Sequence, residues 1–477
     1  MNNRLNPYIT AILVSLPFVY YGAAIIMPTF DDWTTLCSPN YDKDFAKYLL
    51  PYGTTWRPFD ALMGYVNSID HRMYPYLNHI LVVTAHAAST LLIFALTRKF
   101  GLRRQACNMA TAFFYISPCI CGTIFSCDAL NQSYSQLWGL ASVYAYTATS
   151  GGRRVALWAL FVFLSALAKD NGVTWALIPP MVAFAFGKID YRALKKHLFI
   201  GAAIAGAYFT IRFLLPHTVV HNGSHIEQMM SLDSKIKGLV TWIGYNWFAI
   251  DYISIVHAPS RNLLTALITL LLSAPLIAYC LLGRKQLYTE RGFYALAAAT
   301  VVTASPNLLI SMSVMNAYCT IGITALIIGY TIDRIKDRDH RLTALFLMYT
   351  AAALFTDVHH WYKSWQTARP VNEITETIIR KTGSPADSVY CILVRDDNPK
   401  FSSFCVPLDE TIGWGISVIH HTGYRWPKHI KDTTIERSST YMSEARRMAE
   451  KATSSGFDCA WIVDKKRVEV IKRNNKR

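Results

Sequence analysis

Two adjacent carboxylates, Asp31 and Asp32, stand directly after the first long apolar run of the chain, residues 7–28. An ionisable side chain at the mouth of a membrane span is costly to leave unpaired and is a functional-site hypothesis by default. A carboxylate within reach of a hydroxyl group can accept its proton, and neighbouring carboxylates tend to separate their pKa values. The pair therefore indicates a candidate general base. The alternative is a solvated loop at the membrane surface, where Asp is common.

Two cations follow within short polar segments. Arg57 lies in Trp-Arg-Pro-Phe at 56–59, and Lys169 lies in Ala-Lys-Asp-Asn-Gly at 168–172. A guanidinium suits bidentate contact with a phosphate, whereas the ammonium of Lys acts as a point charge. A base combined with such cations fits the transfer of a group from a phosphate ester to a hydroxyl. The alternative for Lys169 is a structural ion pair with Asp170 at membrane depth.

Two histidines, His79 and His86, are seven residues apart at the start of the second apolar run. On a helix this spacing returns to the same face. The spacing predicts one polar side on the second span. That side could contact substrate, or it could satisfy a polar contact between helices.

The composition indicates a membrane protein that crosses the bilayer many times. Of 477 residues, 52% are hydrophobic and only 16% are charged, whereas a soluble domain carries about 25% charged residues. The net charge of +16 is not a nucleic-acid signal, because much of it falls in short loops between apolar runs. The ten cysteines show no metal-ligand spacing and are interpreted as small core residues.

Repeated apolar runs predict an all-α polytopic fold with about eleven transmembrane helices. The runs lie at about 8–28, 77–97, 106–126, 134–149, 154–168, 172–187, 197–215, 262–282, 293–311, 314–332 and 342–357. The loops that end the even-numbered spans are all basic, and Lys and Arg mark the cytoplasmic side. This bias predicts that the Asp pair and the C-terminal region lie on the non-cytoplasmic side. We expect a protein of the bacterial inner membrane, for which this is the periplasmic or external side.

Three soluble or interfacial regions interrupt this pattern. Residues 29–76 form a long first outer loop within a membrane-embedded catalytic domain, 1–366. The outer loop 216–260 contains an apolar stretch, 236–255. We interpret it as an interfacial or re-entrant helix, because counting it as a span would reverse the sidedness of everything after it and remove the one-sided distribution of Lys and Arg. Residues 384–477 have the composition of a small α/β domain on the non-cytoplasmic side, which we expect to be accessory.

The four polar segments together resemble the GT-C superfamily, integral-membrane glycosyltransferases that use polyprenyl-phosphate-linked sugars. The similarity covers about 8–190 and is nearest to the membrane half of transmembrane O-mannosyltransferases that carry tetratricopeptide repeats. Their Asp-Asp or Asp-Glu pair resembles Asp31-Asp32, and their Tyr-Arg-Pro-Leu segment resembles residues 56–59. Their paired histidines resemble His79 and His86, and their Ser-Lys-Glu-Asn/Gln-Gly segment resembles residues 168–172. The chain departs from that family in lacking the repeats and in having Asp at 170 in place of Glu.

The resemblance implies an inverting transfer of sugar to a glycan, lipid or protein acceptor, with membrane lipids as further partners and no nucleic acid. It implies catalytic roles for Asp31 and Asp32, and donor-phosphate contacts for Arg57 and Lys169. Substrate-binding or structural roles are expected for the remaining motif residues, which are His79, His86, Asp170 and Trp56. No cofactor is certain, and a divalent metal on the Asp pair stays open.

Two other classes of membrane protein are compatible with the hydropathy. A transporter or lipid flippase would show two halves with matching broken helices, and no such symmetry is visible in the sequence. A polysaccharide polymerase or ligase is also polytopic with a large outer loop. Those families do not match an Asp pair at the end of the first span followed by the Arg-Pro and double-His segments.

Overall fold

A computed structural model describes most of the chain. The described residues are 6–24, 49–51, 55–69, 78–126, 129–216, 231–250, 259–282, 285–310, 312–335, 339–383, 386–395, 429–465 and 467–473. The Asp31-Asp32 pair therefore lies outside the described residues. Contacts divide the chain into two units. One comprises Met1–Ala23, Ala46–Met63 and His79–His360, and the other comprises Ala24–Phe45, Gly64–Asn78 and Trp361–Arg477.

Helices dominate the described residues. In chain order they are α1 Pro7–Ala24, α2 Pro58–Ile69, α3 Asn78–Phe100, α4 Arg104–Tyr115, α5 Leu130–Ala148, α6 Gly151–Ala168, α7 Ile178–Ala185, α8 Tyr191–Leu214, α9 Leu232–Trp247, α10 Pro259–Leu281, α11 Arg291–Leu309, α12 Val314–Ile332, α13 His340–Thr382 and α14 Tyr441–Ser454. Short 3₁₀ helices occupy Pro118–Gly122, Asp170–Ala176 and Lys285–Thr289.

Each of the eleven predicted runs contains helix, and seven helices within the described residues are long and apolar enough to span a membrane. They lie at His79–Phe100, Gly151–Ala168, Tyr191–Leu214, Leu263–Leu281, Arg291–Leu309, Val314–Ile332 and His340–Gln366. Large apolar side chains on α8 and α10, such as Phe199, Phe213 and Leu264, are exposed in the chain alone, as expected for lipid-facing positions. The protein is an integral membrane protein with the predicted, mainly helical fold.

The third and sixth runs are broken. α4 ends at Tyr115 and Pro118 opens a 3₁₀ helix, because proline cannot continue an α-helix. The sixth run begins with the 3₁₀ helix Asp170–Ala176, and α7 then starts with prolines in its first turn. Irregular backbone at membrane depth is tolerated where it is buried in protein or lines a cavity. Both 3₁₀ helices are largely buried.

The centre of the membrane unit is α12, nearly all of which is buried. Its approach to the 3₁₀ helix Pro118–Gly122 requires a glycine, since a Cβ at Gly122 would lie 2.4 Å from the Met315 backbone nitrogen. At the other end of α12, the Arg103 guanidinium donates to the carbonyl oxygens of Ile332, Asp333 and Ile335. These bonds satisfy carbonyls that a helix end leaves without partners.

The helix α9 covers residues 236–247 of the stretch 236–255 that is expected to be interfacial or re-entrant, and residues 251–255 lie outside the described residues. It has 16 residues, fewer than the roughly 20 needed for a perpendicular span. Its Asn246 amide donates to the Ala317 carbonyl oxygen at 3.1 Å, and the Thr320 hydroxyl donates to Asn246 Oδ1 at 2.7 Å. Polar contacts of this kind fix α9 to α12.

The second unit contains a four-stranded sheet with the order β2-β1-β3-β4. The strands are β1 Ser388–Val394, β2 His429–Ile435, β3 Cys459–Asp464 and β4 Arg467–Lys472. β1 pairs in parallel with β2 and β3, and β4 is antiparallel to β3. One face packs on the end of α13 through Ile374 and Ile378, and the other packs on α14. The sheet and α14 confirm the small α/β fold.

Candidate functional site

Asp170 begins a 3₁₀ helix immediately after α6 ends at Ala168. Lys169 between them is extended, with φ −149° and ψ 130°, so the chain turns sharply at this point. The turn requires Gly172, because a Cβ there would lie 2.3 Å from the Ser165 carbonyl oxygen. The glycine of the motif thus allows the close packing that places Asp170 beside its partners.

The Asp170 carboxylate joins three segments of the membrane unit. Its Oδ1 accepts the Trp56 backbone N–H at 3.0 Å, and its Oδ2 accepts the Arg57 Nε–H at 2.9 Å. Arg212, in the last turn of α8, contributes an ion pair, with Nη1 3.7 Å from Oδ1. Within the described part of the chain, these are the charged partners of Asp170, and Lys169 is not among them.

Trp56 fixes the segment 56–59 to the membrane helices. Its ring stacks on Tyr208 of α8 with centroids 5.5 Å apart, and its Nε1–H donates to the Leu49 carbonyl oxygen at 3.1 Å. Tyr208 donates in turn to the Ala166 carbonyl oxygen of α6 at 3.4 Å. A stacked aromatic pair adds about 0.5–1.5 kcal/mol beyond burial. These contacts fix the position of Trp56 and of the adjoining backbone that carries Arg57.

Arg57 is held at one side of its guanidinium. The Nε–H is bound to Asp170, and the two Nη groups make no hydrogen bond among the residues that the structure describes. The side chains of Arg57, Asp170 and Arg212 are 30%, 22% and 15% exposed. A partly exposed guanidinium that is anchored through its Nε is suited to bidentate binding of an anion.

Lys169 precedes Asp170 in the chain, and its side chain is buried. The adjoining Asn171 is also buried, and neither atom of its amide has a hydrogen-bond partner in the described structure. An unpaired buried amide costs about 1–3 kcal/mol. The motif 168–172 therefore supplies Asp170 to the ion pairs with Arg57 and Arg212, and its Lys169 and Asn171 are buried.

His86 makes the contacts of a bridge between helices. Its Nε2 lies 3.1 Å from the Tyr115 carbonyl oxygen, and its Nδ1 lies 2.8 Å from the Tyr318 hydroxyl oxygen. Because a carbonyl oxygen only accepts, Nε2 carries the proton and Nδ1 accepts from the hydroxyl. His79 Nδ1 donates to the Ile124 carbonyl oxygen at 3.0 Å. Both histidines are buried, a geometry that matches the structural alternative for the pair.

Sequence reasoning missed Arg212. The signal was present, because Arg212 is a charged residue inside the seventh apolar run, 197–215. A charge at that position is expected to face a partner or a polar cavity. Among the described residues, no group of three or more His, Cys, Asp or Glu side chains is arranged to hold a metal ion. The Asp pair on which a metal was considered lies outside those residues.

No protein-family model and no curated protein matches the sequence. Among solved structures, the chain is similar to ArnT from Cupriavidus metallidurans, crystallised with undecaprenyl phosphate. The TM-score is 0.51 at 10% sequence identity, and the alignment covers 99% of each chain. The likeness therefore extends over the membrane helices and the C-terminal unit, well beyond the segment 8–190 in which the motifs lie. It confirms that the chain has the GT-C-like fold that those motifs led us to expect.

Proposed function

We propose that the protein is an inverting glycosyltransferase that moves a sugar from a polyprenyl-phosphate donor to a glycan, lipid or protein acceptor. The reaction takes place on the non-cytoplasmic face of the membrane. The observation that carries the proposal is the Asp170 site, which joins motif segments 113 residues apart in one charged group. It does so in a fold shared with ArnT, whose crystal structure contains undecaprenyl phosphate.

The reaction needs a base and a cationic site for the leaving group. Asp31 or Asp32 accepts the proton of the acceptor hydroxyl as its oxygen attacks the anomeric carbon. The bond between that carbon and the phosphate oxygen breaks, and its electron pair leaves with the polyprenyl phosphate. Attack from the face opposite the phosphate inverts the anomeric configuration. We assign the base to Asp31, which is nearer the first span, and sugar, acceptor or metal binding to Asp32.

Arg57 and Lys169 stabilise the leaving phosphate in this proposal. The support for Arg57 is its partly exposed guanidinium, which is held in place through Nε by Asp170. Lys169 contributes a buried positive charge next to Asp170 in the chain. Trp56, Asp170, His79 and His86 hold these elements in place, so their substitution is expected to act through structure and positioning.

The test is a transfer assay with purified, full-length protein in detergent or nanodiscs. Polyprenyl-phosphate-linked sugars carrying a radiolabel are offered without ATP or an ion gradient. We expect transfer to acceptor or slow hydrolysis, with free polyprenyl phosphate as the other product. Movement of intact donor across a sealed vesicle, with no cleavage of the sugar bond, would favour a flippase. The lipid-linked sugar that accumulates after gene deletion identifies the donor to use.

A further inference from the structure

The first two turns of α5 are rich in polar residues although the helix lies within the membrane unit. Five of these polar side chains are buried, namely Asn131, Gln132, Ser133, Ser135 and Gln136. Polar side chains are costly at membrane depth, so they pair with one another or mark the path of a substrate. The distribution of Lys and Arg predicts that this end of α5 lies on the same side of the membrane as Asp170.

Contacts through Ser165 tie this polar segment to the 3₁₀ helix that follows α6. The Ser165 hydroxyl lies 3.0 Å from the Ser135 hydroxyl and donates to the Ser135 carbonyl oxygen at 2.8 Å. Gly172 also packs on Ser165, since a Cβ at Gly172 would lie 2.5 Å from the same hydroxyl oxygen. Gln132 precedes Ser135 by about one helical turn, and Asn171 directly precedes Gly172. Gln132 and Asn171 therefore flank one contact between α5 and the 3₁₀ helix.

Three side chains in this region have buried hydrogen-bonding atoms without a partner among the residues that the structure describes. These atoms are both polar atoms of the Asn171 amide, Oε1 of Gln132 and Oγ of Ser133. The Nε2 of Gln132 donates to Asn316 of α12 at 2.6 Å, which fixes that side chain in place. Buried polar groups are nearly always hydrogen-bonded, and each one left without a partner lowers stability. Several such groups together indicate a site that a ligand completes.

The residue types indicate a neutral ligand that is rich in hydroxyl groups. An amide offers donors and an acceptor side by side, and a serine hydroxyl can do both. These groups match sugar hydroxyls, which also donate and accept. Asn171, Gln132 and Ser133 are all uncharged. The buried Lys169, two residues before Asn171, disfavours a ligand that carries an ammonium group, because like charges repel.

The position of Asn171 fits the sugar of the proposed donor. It directly follows Asp170, which anchors Arg57 and is 22% exposed, and consecutive Cα atoms are only about 3.8 Å apart. A sugar joined to a phosphate at Arg57 would therefore begin within reach of Asn171. We propose that Asn171, together with Gln132 and Ser133, binds the hydroxyl groups of a neutral donor sugar. This inference rests on the proposed function and adds the class of sugar and the residues that recognise it.

A role in sugar recognition and a role in stability predict opposite effects of one substitution. Asn171→Leu keeps the volume of the side chain and removes an amide that has no partner. The melting temperature of the protein in detergent should therefore stay the same or rise. The same change removes hydrogen bonds to the sugar and should weaken its binding. If Asn171 were kept for stability, the substitution would lower the melting temperature and leave sugar binding unchanged.

The test measures binding to the purified full-length protein by titration calorimetry. The probes are farnesyl phosphate and its esters with glucose, galactose, mannose, arabinose, glucosamine and glucuronic acid. In wild type, the largest gain in affinity over farnesyl phosphate should come from one of the four neutral sugars. In Asn171→Leu this gain should fall about tenfold, whereas farnesyl phosphate itself should bind as it does to wild type.

A second site variant and a control use serines of the same helix. Ser133→Ala removes a single hydroxyl and should lower the gain by a smaller factor, about fivefold. Ser142→Ala is the matched control, because Ser142 is buried and its hydroxyl already donates to the Gly139 carbonyl oxygen at 2.6 Å. The control should bind every probe as wild type does. Asn171→Ala replaces Asn171→Leu if the leucine variant does not fold.

The outcomes separate this inference from the proposed function. An unchanged gain in Asn171→Leu, or in Asn171→Ala in its place, would overturn sugar recognition by Asn171 and leave the proposed function standing. Tightest binding of the glucosamine or glucuronic acid ester would overturn the neutral class of sugar. A wild type that transfers sugar but binds no ester more tightly than farnesyl phosphate would also overturn the inference. If wild type binds none of the probes and transfers no sugar, the proposed function fails as well.

Discussion

At the scale of single residues, the candidate site is held together by contacts between segments that are far apart in the chain. Residue type and position in the chain were enough to select Arg57, Asp170 and His86 from the sequence. Their contacts depend on packing between segments far apart in the chain, such as the 232 residues between His86 and Tyr318. For that reason the expected alternative for Lys169, a pair with Asp170, does not match the observed partners of Asp170.

The Asp pair is expected to control turnover. Asp31→Asn keeps size and hydrogen-bonding shape and removes basicity, and general-base catalysis contributes about 10²–10⁴ in rate. Turnover should therefore fall at least about a hundredfold, with membrane insertion and donor binding nearly intact. Asp32→Asn is compared in the same transfer assay. Near wild-type transfer by both variants would show that the pair is only a polar loop.

The cations are expected to control use of the donor. Removing a contact to an ionised partner costs about 1.5–3 kcal/mol, so Arg57→Ala or Lys169→Ala should lower kcat/KM for the donor roughly tenfold or more. Because Asp170 pairs with arginines, adding Asp170→Ala to Lys169→Ala should not restore folded protein. Restoration of yield and melting temperature by the double substitution would instead establish a structural Lys169–Asp170 pair.

At the scale of elements, hydropathy predicted where helices lie and missed where they break. The third and sixth runs look continuous because the prolines that interrupt them sit among apolar residues. β2 was missed because His429–Ile435 is mostly polar and exposed, as suits a strand at a sheet edge, whereas the buried strands β1 and β3 read clearly as apolar runs. Both the helix breaks and the strand β2 depend on which residues the fold buries, and hydropathy along the chain does not reveal this.

The His86 bridge is expected to stabilise the contact of α3 with α12. His86→Leu leaves the buried Tyr318 hydroxyl without this partner, which should cost about 1–3 kcal/mol. The expected result is a lower melting temperature in detergent. Adding Tyr318→Phe should recover part of the loss, because it removes the orphaned hydroxyl. An unchanged melting temperature together with weaker donor binding would assign His86 to substrate instead.

At the scale of the whole molecule, sidedness follows from the basic loops and remains a prediction. In intact cells, Arg284→Cys should be protected from an impermeant thiol reagent and Asp387→Cys should react. The described cysteines are buried, and burial raises the pKa of the Cys459 thiol to about 11, which keeps it protonated. Replacing Cys37, Cys127 and Cys405 by Ser removes the remaining thiols. Protection of position 387 would move the C-terminal domain to the cytoplasm.

The C-terminal domain is expected to be accessory. Deleting 384–477 should lower transfer or alter acceptor choice while donor binding remains measurable, because the Asp170 site lies wholly in the other unit. The deletion uncovers Ile374 and Ile378 on α13, so both are replaced by Lys in the truncated chain. Loss of donor binding in a folded, inserted truncation would show that the donor site needs this domain.

The broken sixth run has a consequence for how the protein is made. α7 has eight residues, about 12 Å of helix, against a hydrocarbon core of about 30 Å. It is too short to cross the membrane alone, and it is expected to insert together with the 3₁₀ helix Asp170–Ala176 as a hairpin with α6. During synthesis Asp170 can meet Arg57 as soon as it emerges, but Arg212 reaches the site only after α8 has been made. We therefore expect the charged site to form stepwise, with the ion pair of Asp170 and Arg57 in place before Arg212 arrives.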